Sequence, residues 1–179
     1  MVKKPIAWID SPVYTKERQI LTSQTLQVPG LRMIGHHSTA HAIAALDSHY
    51  HEDCFEFTYF LHGNVRFSVG GHSYPLSGGD LFVTFPNEVH DTGAIPMSLH
   101  QMYWFQLDVS DPSRFLFMEP GAARELIELL SRLPARVIKL EAEATTDLLS
   151  RVFRFFEKGD TVSRMQGTHL LSYFLYHVV

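Results

Sequence analysis

Apolar and polar residues alternate with a period of two through much of the first 110 residues, a pattern that is typical of β-strands with two different faces. Glycine-containing turn signals interrupt the pattern at Gly63-Asn64, Gly70-Gly71 and Gly78-Gly79. Their spacing of roughly eight residues predicts consecutive β-hairpins. We therefore predict β-strands at residues 19–28, 31–35, 40–46, 54–62, 65–69, 72–76, 81–85 and 98–108.

The hydrophobic period changes to that of an α-helix after Asp111-Pro112. We predict helices at residues 122–133, at 143–158 and from 161 onward, with an extended segment at 137–140. Pro134 and Gly159 supply the stop signals of the first two helices. The third helix reaches Val179 without a stop signal, so we expect the natural polypeptide to continue.

Composition and charge narrow the class of protein. The chain has 179 residues, of which 45% are hydrophobic and 12% aromatic, so it can bury a sizeable core. A formal net charge of −4 does not suggest a surface that binds nucleic acid. The single cysteine, Cys54, excludes an internal disulfide. Because neither a signal peptide nor a long apolar run is visible, we expect a cytoplasmic protein without a membrane partner.

Three histidines and one glutamate are placed to share a site. His49 and His51 are two residues apart, so in an extended chain their side chains point the same way. Glu56 lies in the middle of the next, largely apolar strand, where a buried carboxylate needs a partner. His90 follows the turn at Pro86. We predict that these four residues can meet at one divalent metal ion, of which zinc, nickel, iron and manganese all suit such ligands.

The same residues resemble the two sequence motifs of the cupin family. The first motif corresponds to His49-x-His51-x4-Glu56-x6-Gly63, and the second to Gly79-x5-Phe85-Pro86-Asn87-x2-His90. The chain departs from the family pattern where Phe85 replaces a proline and Asn87 a glycine, and it lacks the glycine before the first histidine and the asparagine after the last. The resemblance implies a mostly β protein with a C-terminal α layer, a jelly-roll barrel followed by two or three amphipathic helices.

A barrel followed by helices is most similar to the sensor domain of AraC-family transcription regulators. This resemblance implies an N-terminal arm at residues 1–18, a ligand-sensing barrel at 19–110 and a helical dimerisation segment at 111–179. It also implies a DNA-binding helix-turn-helix domain after Val179, because no such pair occurs within the sequence. The domain would then be a binding module and not an enzyme. The alternative is a stand-alone metal-dependent cupin enzyme, such as an isomerase or a dioxygenase.

The effector expected from the resemblance is a small polar, sugar-like molecule. Besides His51 and Glu56, we expect Trp8 of the arm to contribute, because the arm of the family often crosses the barrel mouth; the alternative is that Trp8 fills an apolar gap. On strand 98–108, alternation places His100, Met102 and Trp104 on one face, where they can line a pocket. Met102 stands where the arabinose-sensing member has a tryptophan, so Trp104 is the candidate stacking surface, with a plain core role as the alternative.

Two further groups of residues are assigned from the pattern. His36, His37 and His41 are predicted to be surface or loop residues, with a functional role as the alternative, because adjacent strand residues point to opposite faces and cannot share a metal ion. The predicted dimer interface consists of large apolar residues of the last two helices, Phe155, Phe156, Leu171 and Phe174. The alternative is that all four pack against the barrel of their own chain.

Overall fold

The computed structural model describes residues 4–93 and 95–179, so the first three residues of the predicted arm lie outside the described part. The eleven described strands are β1 (Ile6–Ala7), β2 (Val13–Tyr14), β3 (Arg18–Thr22), β4 (Leu31–Thr39), β5 (His49–Tyr50), β6 (Cys54–Val69), β7 (His72–Ser77), β8 (Asp80–Thr84), β9 (His90–Asp91), β10 (His100–Asp108) and β11 (Val137–Lys139). The described helices are α1 (Ser23–Leu26), α2 (Pro120–Ser131), α3 (Ala142–Lys158) and α4 (Thr161–Val178), with a 3-10 turn at Phe115–Phe117.

The long strand β6 joins two sheets. Its first half pairs with β8 and β10, which continue outward to β11 on one side and to β4, β3 and β2 on the other. Its second half pairs with β7 and with β9, which leads to β5 and β1. The two sheets and the three long elements after them match the predicted jelly-roll barrel with a C-terminal helical layer.

The prediction of a hairpin at Gly63-Asn64 is wrong, because β6 continues through this pair. Gly63 has a φ of +99°, and a Cβ atom there would overlap the carbonyl oxygen of Leu99. The glycine therefore serves a close approach between β6 and the start of β10, at the point where β6 leaves one sheet for the other. The turn at Gly70-Gly71 does join antiparallel strands, as predicted. The predicted hairpin at Gly78-Gly79 is wrong, because β7 and β8 each pair antiparallel with β6 and not with each other.

The predictions of strands at residues 19–28 and 40–46 also need correction. The first strand ends at Thr22, and the residues after it form the single helical turn α1. Residues 40–46 do not form a strand; their only described pairing is an isolated bridge between Ile43 and Met97. Both segments lie at the ends of longer strands, where a local apolar pattern cannot say how far pairing extends.

The core has two layers, which follow from the alternation along β6 and β10. Phe55, Phe57 and Tyr59 face the helices, whereas Phe60 faces the space between the sheets. On β10 the odd-numbered side chains from Tyr103 to Leu107 likewise pack against the helical layer, and Met102 and Trp104 face inward. Alternation therefore predicts correctly which side chains of β6 and β10 share a face. The inward faces of these two strands form the site.

The predicted dimer residues are largely buried in their own chain. Phe156, Leu171 and Phe174 are at most 1% exposed and pack in the cluster between the helices and the sheet. Phe156 reaches this position because Gly167 of α4 leaves no side chain in its way. These three side chains are thus unavailable to a partner, which corrects the prediction; Phe155 keeps partial exposure.

Among the described residues, no helix has both the length and the apolar character that crossing a lipid bilayer would require.

Candidate functional site

The predicted metal residues come together between the sheets. His49 and His90 are register partners on β5 and β9, and His51 follows β5 directly. One ring nitrogen from each of the three lies within 4.8 Å of the other two. All three histidines are buried, and Glu56 of β6 is buried beside them.

Backbone carbonyls fix the orientation of each imidazole. The Nδ1 atoms of His49, His51 and His90 lie 2.7, 3.1 and 3.1 Å from the carbonyl oxygens of Asp47, Trp8 and Glu88. Because a carbonyl only accepts, each Nδ1 donates its hydrogen, and Nε2 is the nitrogen left to face the site. Hydrogen bonding of the second ring nitrogen is the usual arrangement of histidines that bind metals.

Glu56 lies beside two of these imidazoles. Its Oε2 atom is 3.0 Å from Nε2 of His51, and its Oε1 atom is 3.4 Å from Nε2 of His90. Burial alone raises the pKa of Glu56, but the charge and hydrogen bond of His51 outweigh it and hold the pKa well below 4.5. Burial lowers the pKa of His51, and the attraction of Glu56 more than reverses this, so that the net pKa is raised.

The donor set fits a divalent transition-metal ion. The buried Nε2 atom of His90 has no hydrogen-bond partner among the described residues. Burial and the neighbouring His90 lower the pKa of His49, which favours the neutral ring that a metal needs. Three convergent imidazole nitrogens with a carboxylate beside them are typical of zinc and of redox-active first-row ions.

Gln106 and Asp10 belong to the same network and were not predicted. The Gln106 side chain is fully buried, and its Nε2 atom donates to Oδ2 of Asp10 (2.9 Å) and to Oε2 of Glu56 (3.0 Å). Burial and the nearby Glu56 carboxylate raise the pKa of Asp10. Gln106 shares the face of β10 that carries His100, Met102 and Trp104, so alternation could have identified it, whereas no sequence signal marks Asp10.

The N-terminal arm lies against the site. Strand β1 pairs in parallel with β5, and the amide of Trp8 donates to the carbonyl oxygen of Tyr50 at 2.9 Å. The Trp8 ring lies 5.7 Å from the ring of His49. The arm therefore supplies a carbonyl, a carboxylate and an indole to the site.

A cavity of about 250 Å³ adjoins the imidazoles. Five of the six predicted ligand residues line it, namely Trp8, His51, Glu56, Met102 and Trp104. His100 does not line the cavity and instead lies behind His37. The unpredicted polar residues of the wall are Asp10, Arg18, His37, Asp47 and Thr58.

His37 corrects the prediction of a surface cluster, because it is only 6% exposed and lines the cavity. Its Nδ1 atom is 3.3 Å from Nε2 of His100, whose own Nδ1 donates to the carbonyl oxygen of Ser98. His36 is half-buried on the opposite face, and His41 is exposed, as predicted. The rule that adjacent strand residues face opposite ways was correct, but it could not say which face was inside.

Trp104 is packed on two sides. A Cβ atom at Gly35 would overlap its six-membered ring, and the Arg18 guanidinium lies 5.5 Å from the ring centroid. Trp104 is thus a buried core residue that also forms part of the cavity wall. Trp8, at 42% exposure, is the more accessible of the two indoles.

The departure from the second motif at Asn87 has a local explanation. Asn87 adopts a left-handed φ of +63°, which asparagine tolerates better than most residues. Its amide donates to the carbonyl oxygen of His51 at 3.1 Å, and its side chain donates to Oδ1 of Asp53 at 3.1 Å. The substitution therefore preserves the turn and ties it to the histidine loop.

The buried His37 makes the folded chain sensitive to acid. Burial, followed by the charges of His100 and Arg18, lowers the pKa of His37 from 6.5 to about 4. Between these pH values the unfolded chain binds a proton that the folded chain does not, so stability falls as the pH falls. We expect His37→Gln to reduce the loss of unfolding free energy between about pH 7 and pH 5, measured by urea denaturation. His41→Gln is the matched control; an unchanged pH dependence in His37→Gln would contradict this assignment.

Comparisons with known proteins show what this chain is similar to. A search of curated protein sequences found no match. Three similar solved structures are a predicted oxalate decarboxylase from Thermotoga maritima, KdgF from Halomonas sp. and a cupin protein from Bacteroides fragilis. The identities are 19%, 23% and 14%, and the TM-scores 0.43, 0.40 and 0.42. The matches cover 51%, 52% and 57% of this chain and 81%, 80% and 86% of those chains, in the same order.

A family model matches residues 33–175, which include the barrel strands from β4 onward and nearly all of the helical layer. It is described as the AraC-like ligand binding domain. The chain belongs to this family of cupin-type ligand-binding domains.

Proposed function

We propose that this chain is an effector-sensing domain that binds a small polar molecule in the cavity between the sheets. The observation that carries the proposal is the cavity of about 250 Å³, which has polar and aromatic walls and lies under the N-terminal arm. Its volume is below the range of roughly 300–1,000 Å³ for pockets that take drug-sized ligands, which favours a small metabolite.

The chemistry of the walls supports a polyhydroxylated, sugar-like effector. Thr58 and the acidic groups Asp10 and Glu56 are partners for hydroxyl groups, and Arg18, whose Nη2 atom lies 3.9 Å from Oδ1 of Asp10, adds a donor. The Trp8 indole supplies an apolar face that reaches the cavity from the arm. This combination of a few polar groups and an aromatic surface is what fixes the orientation of a small polar ligand.

A divalent metal ion, held by His49, His51 and His90 with Glu56 beside them, is part of the proposal. When bound, such an ion would supply a Lewis-acid contact for an oxygen of the effector. Backbone carbonyls of the chain orient the three imidazoles by accepting hydrogen bonds from their Nδ1 atoms. Gln106 stabilises the charge of Glu56 by donating a hydrogen bond to its Oε2 atom. Zinc, nickel, iron and manganese all suit these ligands.

Signal transfer would begin at the arm and end in a DNA-binding domain elsewhere in the parent protein. Asp10 and the Trp8 carbonyl contact Gln106 and His51, so a ligand that rearranges these contacts changes the affinity of the arm for the barrel. A ligand can shift such an equilibrium only by its differential affinity for the two arrangements. The net charge of −4 is consistent with leaving DNA binding to the other domain.

Homodimerisation through the helical layer is also proposed, on surfaces other than the buried residues. Tyr173 and Tyr176 of α4 are 62% and 51% exposed, and Phe155 of α3 is partly exposed. Exposed aromatic residues on neighbouring helices are typical of protein interfaces. A mass of one 20.4 kDa chain in sedimentation equilibrium would contradict this part.

The metal cluster also supports a second candidate, a metal-dependent cupin enzyme of the isomerase or dioxygenase type. Its specific support is the set of three convergent imidazoles next to a cavity, because such a set leaves coordination positions for a substrate. Net conversion of a bound compound by the metal-loaded chain would favour the enzyme, whereas reversible binding without conversion would favour the sensor.

The first prediction concerns the metal. We expect the chain to take up about one equivalent of Co²⁺ or Zn²⁺, and His51→Ala to weaken uptake at least tenfold, since one of three imidazole ligands is lost. The measurement is competition with a chromophoric chelator. His72→Ala, at the exposed end of β7, is the matched control. Uptake that survives both His51→Ala and His49→Ala would remove the site from consideration.

The second prediction concerns the effector. Both tryptophans of the chain line the cavity, so intrinsic fluorescence should report its occupancy. We expect at least one compound in a panel of pentoses, hexoses and sugar acids to change the fluorescence saturably. Trp8→Ala should weaken the binding of that compound about tenfold, because the arm then loses its indole contact. Tyr14→Ala, on the exposed part of the same arm, should not. An unaltered affinity in Trp8→Ala would show that the indole of the arm does not contribute to binding.

A further inference from the structure

We propose that Arg136, in the connection between α2 and β11, is a positioning residue that holds the ring of His90 in place through Glu88. The inference deepens the proposed function, because it rests on the imidazole site being the place where a metal binds. It ties this site to the chain segment that leads into α3.

Arg136 and Glu88 form a two-point ion pair. The Nη1 atom of Arg136 lies 2.7 Å from Oε2 of Glu88, and Nη2 lies 2.8 Å from Oε1. The Arg136 Nη1 atom also donates to the carbonyl oxygen of Val83 on β8 at 3.1 Å. Both side chains are largely shielded, with 17% and 25% of their surfaces exposed, so solvent screens this pair less than a surface ion pair.

Aromatic rings enclose the guanidinium group. Its carbon lies 5.3 Å from the ring centroid of Phe85, 5.5 Å from that of Tyr74 and 6.0 Å from that of Phe82. A planar guanidinium suits both the stacking and the two parallel hydrogen bonds, whereas a lysine ammonium suits neither. The site is therefore built for arginine and not merely for a positive charge.

The same carboxylate closes the turn before His90. Oε2 of Glu88 accepts from the amide of Phe85 at 3.0 Å, and the amide of Glu88 donates to the carbonyl oxygen of Phe85 at 3.1 Å. The carbonyl oxygen of Glu88 then accepts from Nδ1 of His90 at 3.1 Å. Arg136 thus holds the side chain of Glu88. The carbonyl of Glu88 in turn orients the ring of His90 so that its Nε2 atom faces the metal site.

Loss of Arg136 would release this arrangement. Without its partner, the half-buried Glu88 carboxylate gains more from water than from the Phe85 amide, so the turn loosens. The Nδ1 bond of His90 then weakens, and the ring is free to change its tautomer or to rotate. Because coupling is reciprocal, a metal ion that fixes His90 should in turn stabilise the Glu88–Arg136 pair.

The position of Arg136 gives this coupling a direction. Its carbonyl oxygen accepts from the amide of Val83, and β11 then pairs with β8 from Val137 to Lys139. Helix α3 begins three residues after β11, at Ala142. A change at His90 therefore reaches the start of helix α3 through one turn, one ion pair and one short strand.

The test compares Arg136→Met with Lys139→Met in the full chain. Lys139 forms a more exposed ion pair on β11, with its Nζ 2.8 Å from Oδ1 of Asp80, and none of its described contacts is to the Glu88 turn. We expect Arg136→Met to weaken Co²⁺ binding by about 10–100-fold, as loss of an orienting partner typically does, and Lys139→Met to leave it within about twofold. Long-range ¹H–¹⁵N spectra of the metal-free chain should show that His90 loses its pure Nδ1–H form only in Arg136→Met.

The two readouts separate the possible failures. If folded Arg136→Met keeps both the Co²⁺ affinity and the His90 tautomer of the unaltered chain, the proposal is wrong, even if the variant is less stable. If the unaltered chain binds no Co²⁺, the proposed metal site fails, and the tautomer of His90 alone decides the role of Arg136. If Arg136→Met does not fold, Arg136→Lys and Glu88→Gln undergo the same two measurements, and unchanged values in both would overturn the proposal.

Discussion

The charge of one buried carboxylate constrains much of this structure. Glu56 lies in the middle of an apolar strand, where an unpaired carboxylate would be strongly destabilising. His51 and Gln106 satisfy one of its oxygens, and His90 lies near the other. Each partner comes from a different part of the chain, so satisfying this charge requires the barrel to close around it. Removal of one partner from such a buried pair is strongly destabilising, because it leaves an uncompensated buried charge.

The arm and the second-motif turn are both fixed relative to that network. The arm contributes the carbonyl that accepts from Nδ1 of His51 and the carboxylate that accepts from Gln106. The turn contributes His90 and is itself tied to the His51 loop through Asn87. The cavity is consequently bounded on one side by groups whose positions depend on one another. Such interdependence is what a sensing domain needs, because a ligand that disturbs one contact alters the others.

Much of the site could be predicted from the sequence, because it follows from local periodicity and motif spacing. Alternation placed Met102 and Trp104 on the inward face, and spacing brought the three histidines and Glu56 together. The remainder depends on pairings between distant segments. The continuation of β6 through Gly63 required knowing that Leu99 approaches it, and the inward position of His37 required knowing which face of β4 is covered. The buried faces of α3 and α4 likewise depend on contacts that no single helix encodes.

The charge state of Glu56 tests this account most directly. The carboxyl carbon of Glu56 can be followed by ¹³C NMR while the pH of the metal-free chain is lowered. Burial opposes ionisation, but His51 and the hydrogen bonds outweigh it, so the account predicts that the Glu56 signal stays that of a carboxylate well below pH 4.5. A Glu56 signal that titrates at or above pH 4.5 would contradict the account, because the site would then be held together without the buried charge.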